Sequence, residues 1–267
     1  FDSAIESYDE AVRNNPEYSE AYHNRGKVYH DIGQNGRAIE DYDLAIQYNP
    51  EFFPAYNSRG IAYYESGENW RAISDYSEAI RINPEYVAAY NNRGNAYLGV
   101  GEQGHAIEDY NEAVTLDPEN VAAYSNRGTA YRALGENERA IEDFDEVVRI
   151  NPDYAAVYNN RANAYYDLGQ REKALKDYAE AIRLDPSDPD IYINRGNVLF
   201  EMSQFERAAN DYSEVIRINP NHMEAYHNRR LAYHRMGRYE ESNRDLARIT
   251  ELTASINMEG QSVGKNP

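Results

Sequence analysis

Seven prolines, Pro16, Pro50, Pro84, Pro118, Pro152, Pro186 and Pro220, stand at a constant interval of 50 − 16 = 34 residues, and each follows Asn or Asp. A fixed period of this length belongs to chains built from one supersecondary unit repeated, in which each unit buries its apolar faces only against its neighbours. That constraint outweighs the reading of 267 residues as two ordinary domains. Phasing the repeat so that proline falls at position thirty-two gives units 19–52, 53–86, 87–120, 121–154, 155–188, 189–222 and 223–256. Residues 1–18 match only the second half of a unit, and 257–267 match none of it.

Within a unit, position four is always Tyr, and position eight is Gly26, Gly60, Gly94, Gly128, Ala162, Gly196 and Arg230. Position eleven is Tyr in six units, with Leu199 as the exception, and position twenty is Ala until Ser242. Position twenty-four is aromatic until Leu246. In the first unit Tyr22, Gly26 and Tyr29 recur at helical spacing, and Ala38, Ile39, Tyr42, Ala45 and Ile46 form a second stripe, so each unit is predicted to be two amphipathic helices. Gly33, Gly67, Gly101, Gly135, Gly169 and Gly237 follow the first helix, where a left-handed cap favours glycine, and Ser203 takes that place in the sixth unit. The Asn/Asp-Pro pair ends the second helix, because the residue before proline is driven out of helical geometry.

This arrangement of an aromatic, a small residue, Tyr, Ala, an aromatic and Pro over 34 residues resembles the tetratricopeptide repeat (TPR) family. The resemblance implies an all-α chain, a right-handed superhelical solenoid of antiparallel helix pairs with a long concave surface. It also implies a protein-protein interaction scaffold, not an enzyme, that holds an extended peptide or partner segment on that surface.

Position seven departs from the family, being arginine in all seven units: Arg25, Arg59, Arg93, Arg127, Arg161, Arg195 and Arg229. A lone buried cation is too costly to persist, so a partner of the same period is required. Position twenty-three supplies one, as Asp41, Asp75, Asp109, Asp143, Asp177, Asp211 and Asp245. The expected role is a bridge between the two helices of a unit; the alternative is that the arginines line the ligand groove.

The family's ligand face corresponds to positions two, five, six, nine, twelve and thirteen. Here that mapping yields a row of carboxamides: Asn24, Asn92, Asn126, Asn160, Asn194 and Asn228 at position six, Asn57, Asn91 and Asn159 at position five, and Asn95, Asn163 and Asn197 at position nine. A carboxamide offers donor and acceptor together and can match one peptide unit whatever its side chain. The row resembles the asparagine ladder of the O-linked N-acetylglucosamine transferase repeats, which implies a peptide held by its backbone. The bland reading is a polar surface copied by duplication. With Arg132 and Tyr166, these residues form the expected peptide site, namely Asn24, Asn92, Asn95, Asn126, Arg132, Asn160, Asn163, Tyr166, Asn194, Asn197 and Asn228. The asparagines are expected to face solvent when no ligand is bound, so that alanine in their place leaves the fold intact. The cationic clamp of chaperone-binding relatives is missing, since position two is Glu20, Pro54, Ala88, Ala122, Ala156, Asp190 and Glu224.

The charge, 27 − 46 = −19, argues against nucleic acid and favours a basic protein or peptide partner. No apolar stretch reaches the length of a membrane span and no signal peptide opens the chain, which is expected to be soluble and cytoplasmic. His23 and His30, like His227 and His234, are seven residues apart, about 10.5 Å along a helix, too far to share a metal ion unaided, and are read as exposed polar residues. No metal, cofactor or catalytic group is expected. Alternative roles are a structural spacer that self-associates through its terminal repeats, or the accessory region of a larger enzyme.

At the ends, Phe1 enters in mid-unit without an initiator methionine, as expected of a piece of a longer protein. The truncated start is expected to expose Ala4, Ile5, Tyr8 and Val12 as an edge through which a homodimer forms. The seventh unit is expected to be a degenerate cap, with 257–267 a disordered tail.

Overall fold

A computed structural model describes residues 1–263, with side chains described for residues 1–255. Among these there are fifteen α-helices and no strand. They fall into two compact bodies, one ending at Glu136 and one beginning at Asn137. The first holds α1 (Asp2–Asn14), α2 (Ser19–Asp31), α3 (Asn35–Tyr48), α4 (Phe53–Glu65), α5 (Asn69–Ile82), α6 (Val87–Gly99), α7 (Gln103–Leu116) and α8 (Val121–Ala133). The second holds α9 (Asn137–Ile150), α10 (Ala155–Asp167), α11 (Arg171–Leu184), α12 (Pro189–Glu201), α13 (Phe205–Ile218), α14 (Met223–Arg235) and α15 (Tyr239–Val263).

Within each body every helix packs on the next in chain order, and the first helices also touch one another, α2 on α4 on α6 on α8 and α10 on α12 on α14. The sequence stripes account for this. Ala38, Ala72 and Ala106 are wholly buried at position twenty, and Tyr42, Tyr76 and Tyr110 are buried at position twenty-four. Each of these rings packs closely against the glycine of position eight: a Cβ added to Gly26, Gly60 or Gly94 would come within 2.6–2.7 Å of the tyrosine Cε1. In the last repeat the ring is replaced by Leu246, 47% exposed, and the glycine by Arg230, so the two positions change together.

The punctuation is equally local. Glycines follow six of the first helices with φ between +72° and +82°, and Ser203 takes the same left-handed conformation at φ 60°. The Asn or Asp before each proline does more than stop a helix: Asn15, Asn49, Asn83, Asp117, Asn151, Asp185 and Asn219 each accept a hydrogen bond from the backbone N–H two residues on, at 3.0–3.3 Å. The side chain thereby closes the turn into the next helix. Where that device is missing the helix runs on. The seventh repeat carries Ala254 at the proline position, and α15 continues to Val263, so the tail expected from residue 257 is helical over most of its length. Residues 264–267 lie outside the described residues.

Candidate peptide-binding face

The position-seven arginines fulfil the expected bridge, with a further partner. Arg93 donates from Nε and Nη2 to the two carboxylate oxygens of Asp109 at 2.9 and 2.6 Å, and the same bidentate pair joins Arg25 to Asp41, Arg59 to Asp75, Arg161 to Asp177, Arg195 to Asp211 and Arg229 to Asp245. The remaining Nη1 reaches back to position twenty-five of the preceding repeat: to Asp9 from Arg25, Asp43 from Arg59, Ser77 from Arg93, Asn111 from Arg127, Asp145 from Arg161 and Ser213 from Arg229. One guanidinium therefore ties three helices. Tyr22, Tyr56, Tyr90, Tyr124, Tyr158, Tyr192 and Tyr226 at position four place their rings 5.3–5.9 Å from it, which explains why that position never varies. Burial pushes the Asp75 and Asp109 carboxyls up, while the facing guanidinium pulls each back toward the ionised form. These groups belong to the scaffold.

On the first-helix face the carboxamides are hydrogen-bonded to one another across repeat boundaries, contrary to the expectation that they face solvent. Asn92 Nδ2 donates to Asn57 Oδ1 at 3.0 Å and Asn194 Nδ2 to Asn159 Oδ1 at 3.2 Å, joining position six to position five of the repeat before. Asn126 Nδ2 donates to Asn95 Oδ1 at 2.9 Å and Asn228 Nδ2 to Asn197 Oδ1 at 3.2 Å, joining position six to position nine instead. The tyrosines of position twenty-four add a third member: the hydroxyls of Tyr110, Tyr178 and Tyr212 donate to Asn95, Asn163 and Asn197 at 2.6, 2.5 and 2.9 Å. Neighbouring first helices in one body stand close enough for these bonds, and the row is thus part of the packing between repeats. Asn24 and Asn160 are half-buried at the same position. Asn91 turns away, donating to Asn120 at 3.3 Å and leaving its own Oδ1 buried without a hydrogen bond.

His23, read from sequence as exposed, is 8% accessible, with its Nε2 2.9 Å from the Ser58 hydroxyl and its ring edge-on to Phe52. It stands at position five facing position six, so His23 and Ser58 make in the first two repeats the contact that two asparagines make elsewhere. Burial, helped by the charge of Lys27, pushes its imidazole down to about 4. The mistake arose because a polar residue at helical spacing looks like surface until its neighbour across the repeat boundary is known. His30 meets Glu65 at 2.8 Å.

Of the other expected site residues, Arg132 is half-buried on α8. Tyr166 donates its hydroxyl to Glu201, which also accepts from Arg171 at 3.1 Å. Tyr166 further lines a cavity of about 340 Å³ with Asn197, Phe200, Glu201, Asn228 and Leu231, where α10, α12 and α14 meet. Glu201 and Leu231 were not among the residues picked out from sequence; they stand at positions thirteen and nine, which the face mapping contains but a search for amides passes over.

Stacked helix pairs whose first helices touch one another within each body define an α-helical repeat protein of the protein-interaction class. The chain belongs to the tetratricopeptide repeat family: the TPR repeat model matches residues 1–33, 26–67, 60–101, 128–169, 162–203 and 196–237, and two tetratricopeptide repeat models match 87–120 and 109–142. A comparison with curated proteins found no match. Among solved structures the chain is similar to YrrB, described as a TPR protein with an unusual peptide-binding site, with 23% identity, coverage of 68% of this chain and 94% of that one, and a TM-score of 0.59. It is similar as well to a tetratricopeptide repeat protein from Parabacteroides merdae, at 22% identity, 86% and 91% coverage and TM-score 0.63. PilF of Pseudomonas aeruginosa matches at 19% identity, 82% and 96% coverage and TM-score 0.67. These likenesses are likenesses of fold. No helix among the described residues is long and apolar enough to cross a membrane.

Proposed function

We propose that this chain grips an extended segment of a protein partner along its first-helix face, with the asparagines holding the segment's backbone. The observation that carries the reading is the half-used state of the amide pairs. Each of Asn57–Asn92, Asn95–Asn126, Asn159–Asn194 and Asn197–Asn228 spends one Nδ2 and one Oδ1 on the other, leaving one Oδ1 and one Nδ2 without a protein partner among the described residues. Those two groups are what one peptide unit complements. Packed helices stand roughly 8–10 Å apart and an extended chain advances about 3.3 Å per residue, so one pair meets about every third peptide unit.

The cavity beside Tyr166, Phe200 and Leu231 supplies side-chain preference. Its apolar walls accept a long aliphatic stem, and Glu201, which Tyr166 and Arg171 already share, takes a basic head as a further donor, which agrees with the net charge of −19. The peptide-binding site named for YrrB belongs to that protein, and the shared fold makes a peptide ligand a natural reading here.

A displayed library of random peptides tests this. Selection on the full chain is expected to return extended peptides whose binding collapses when single backbone amides are N-methylated, and which tolerate replacement of most side chains apart from one Lys or Arg. Binders insensitive to N-methylation, or an exhausted library with no binders, would refute the backbone grip.

A further inference from the structure

The bridging arginine of the sixth repeat lacks what its siblings have. In three repeats Nη1 of this arginine takes an aspartate from the preceding second helix, Asp9 at 2.6 Å, Asp43 at 2.5 Å and Asp145 at 2.5 Å, and in three others it takes Ser77, Asn111 or Ser213. At the matching place before Arg195 stands Ala179, which has no polar atom to offer, and Arg195 Nη1 has no hydrogen bond among the described residues. A second substitution falls on the same spot. Position eleven is Leu199 where every other full repeat has Tyr, and that ring elsewhere carries the cation of position nineteen: Arg37 over Tyr29 at 5.5 Å, Arg71 over Tyr63 at 4.3 Å and Lys173 over Tyr165 at 5.1 Å. Among the described residues Arg207 has no such ring and is held by Gln204 alone.

Around these residues lies a cavity of about 220 Å³ lined by Arg195, Leu199, Arg207, Asn210 and Asp211. The second repeat has a cavity at the same positions, but there Asp43 is one of the walls. Asp211 is already matched by Arg195 Nε and Nη2 at 2.8 and 2.6 Å, so the second arginine leaves the cavity with an unbalanced positive charge inside an otherwise acidic protein.

We propose that this cavity, on the side of the repeat that carries the arginine bridges, binds a carboxylate supplied from outside the repeat, in the place that an aspartate side chain fills at Arg25, Arg59 and Arg161. The carboxylate accepts from Arg195 Nη1 with Arg207 as the second cation, an arrangement in which charge-assisted hydrogen bonds are at their strongest. Two sources share this chemistry, a small free acid and an acidic side chain on a partner polypeptide.

The probe is sodium acetate, titrated into the isotope-labelled full chain at an ionic strength fixed with chloride, with the guanidinium N–H resonances followed by NMR. A saturable shift is expected at Arg195, several-fold larger than at Arg161, whose Nη1 Asp145 already occupies. In Ala179→Asp the response of Arg195 is expected to vanish, because the exposed position gains the missing carboxylate; in Asp43→Ala, Arg59 is expected to acquire one. Repeating the titration with N-acetyl-aspartamide separates the sources: tighter binding than acetate assigns the site to a polypeptide side chain, weaker binding to a free acid, and both uphold it. Absence of a saturable shift at Arg195, an equal shift at Arg161, a shift that survives Ala179→Asp, or a response to phosphate but not acetate would overturn the proposal.

Discussion

Arg93 occupies a place where a repeat of this kind commonly buries leucine, and its side chain is 20% exposed against 5% for Asp109. Removing one member of such a pair strands the other, whereas removing both removes the desolvation cost as well. Arg93→Leu is therefore expected to lower stability by about 2–3 kcal/mol, and Arg93→Leu with Asp109→Leu to recover more than half of that, as read from urea melts in a double-mutant cycle. Strictly additive losses would contradict the pairing. The pair was legible in sequence because both members are invariant across seven repeats. The third partner at position twenty-five was not, since it alternates among Asp, Ser, Asn and Ala, which share no property except, in the first three, an oxygen in reach of Nη1. His23 gives a second residue-scale prediction. Its folded-state pKa lies below its unfolded one, so the unfolded chain binds the proton first and stability falls as the pH drops from about 6.5 towards 4. Between pH 7.5 and pH 5 the wild type is expected to lose on the order of 1 kcal/mol more than His23→Asn, measured by denaturant melts at both pH values. Equal losses would mean that the imidazole is not buried as described.

At the scale of the helices, nearly everything that starts or stops them was readable: the glycine caps, the proline stops and the two apolar stripes are chemistry that acts over a few residues. Two features mark where local chemistry yields. Ser203 adopts φ 60° without the freedom of glycine, so Ser203→Gly is expected to stabilise the second body by about 0.5–1 kcal/mol, seen as a raised urea midpoint. An unchanged or lowered midpoint would show that the serine side chain compensates for its backbone. The other is the length of α15. Ala254→Pro restores the missing stop and is expected to lower helical content by circular dichroism while leaving α14 and the start of α15 in place. The register of the tyrosine hydroxyls on Asn95, Asn163 and Asn197 was beyond sequence, because it joins side chains fifteen residues apart on different helices and depends on the rotamer that packing leaves open.

At the scale of each stacked body, four asparagine pairs link one repeat to the next, and each pair leaves one donor and one acceptor without a protein partner among the described residues. Their positions were legible in sequence from the family's face; their bonding to one another was not, because it joins side chains 31 or 35 residues apart that only the stacking of repeats brings together. This changes what alanine should do. Each replacement loses a partly buried hydrogen bond of roughly 0.5–1 kcal/mol and regains about 0.5 kcal/mol of helix propensity, so stability is expected to change little in either direction. Binding is a different matter, since the proposed backbone grip loses a contact at each of these four pairs. The measurement is the affinity, by calorimetry, of a library-selected peptide for the wild type and for the variant carrying Asn92→Ala, Asn126→Ala, Asn194→Ala and Asn228→Ala, with the thermal melt of both recorded. A fall of at least roughly a hundredfold in affinity with a melting temperature within a few degrees of wild type is the predicted result; an unchanged affinity in a variant that melts normally would contradict it.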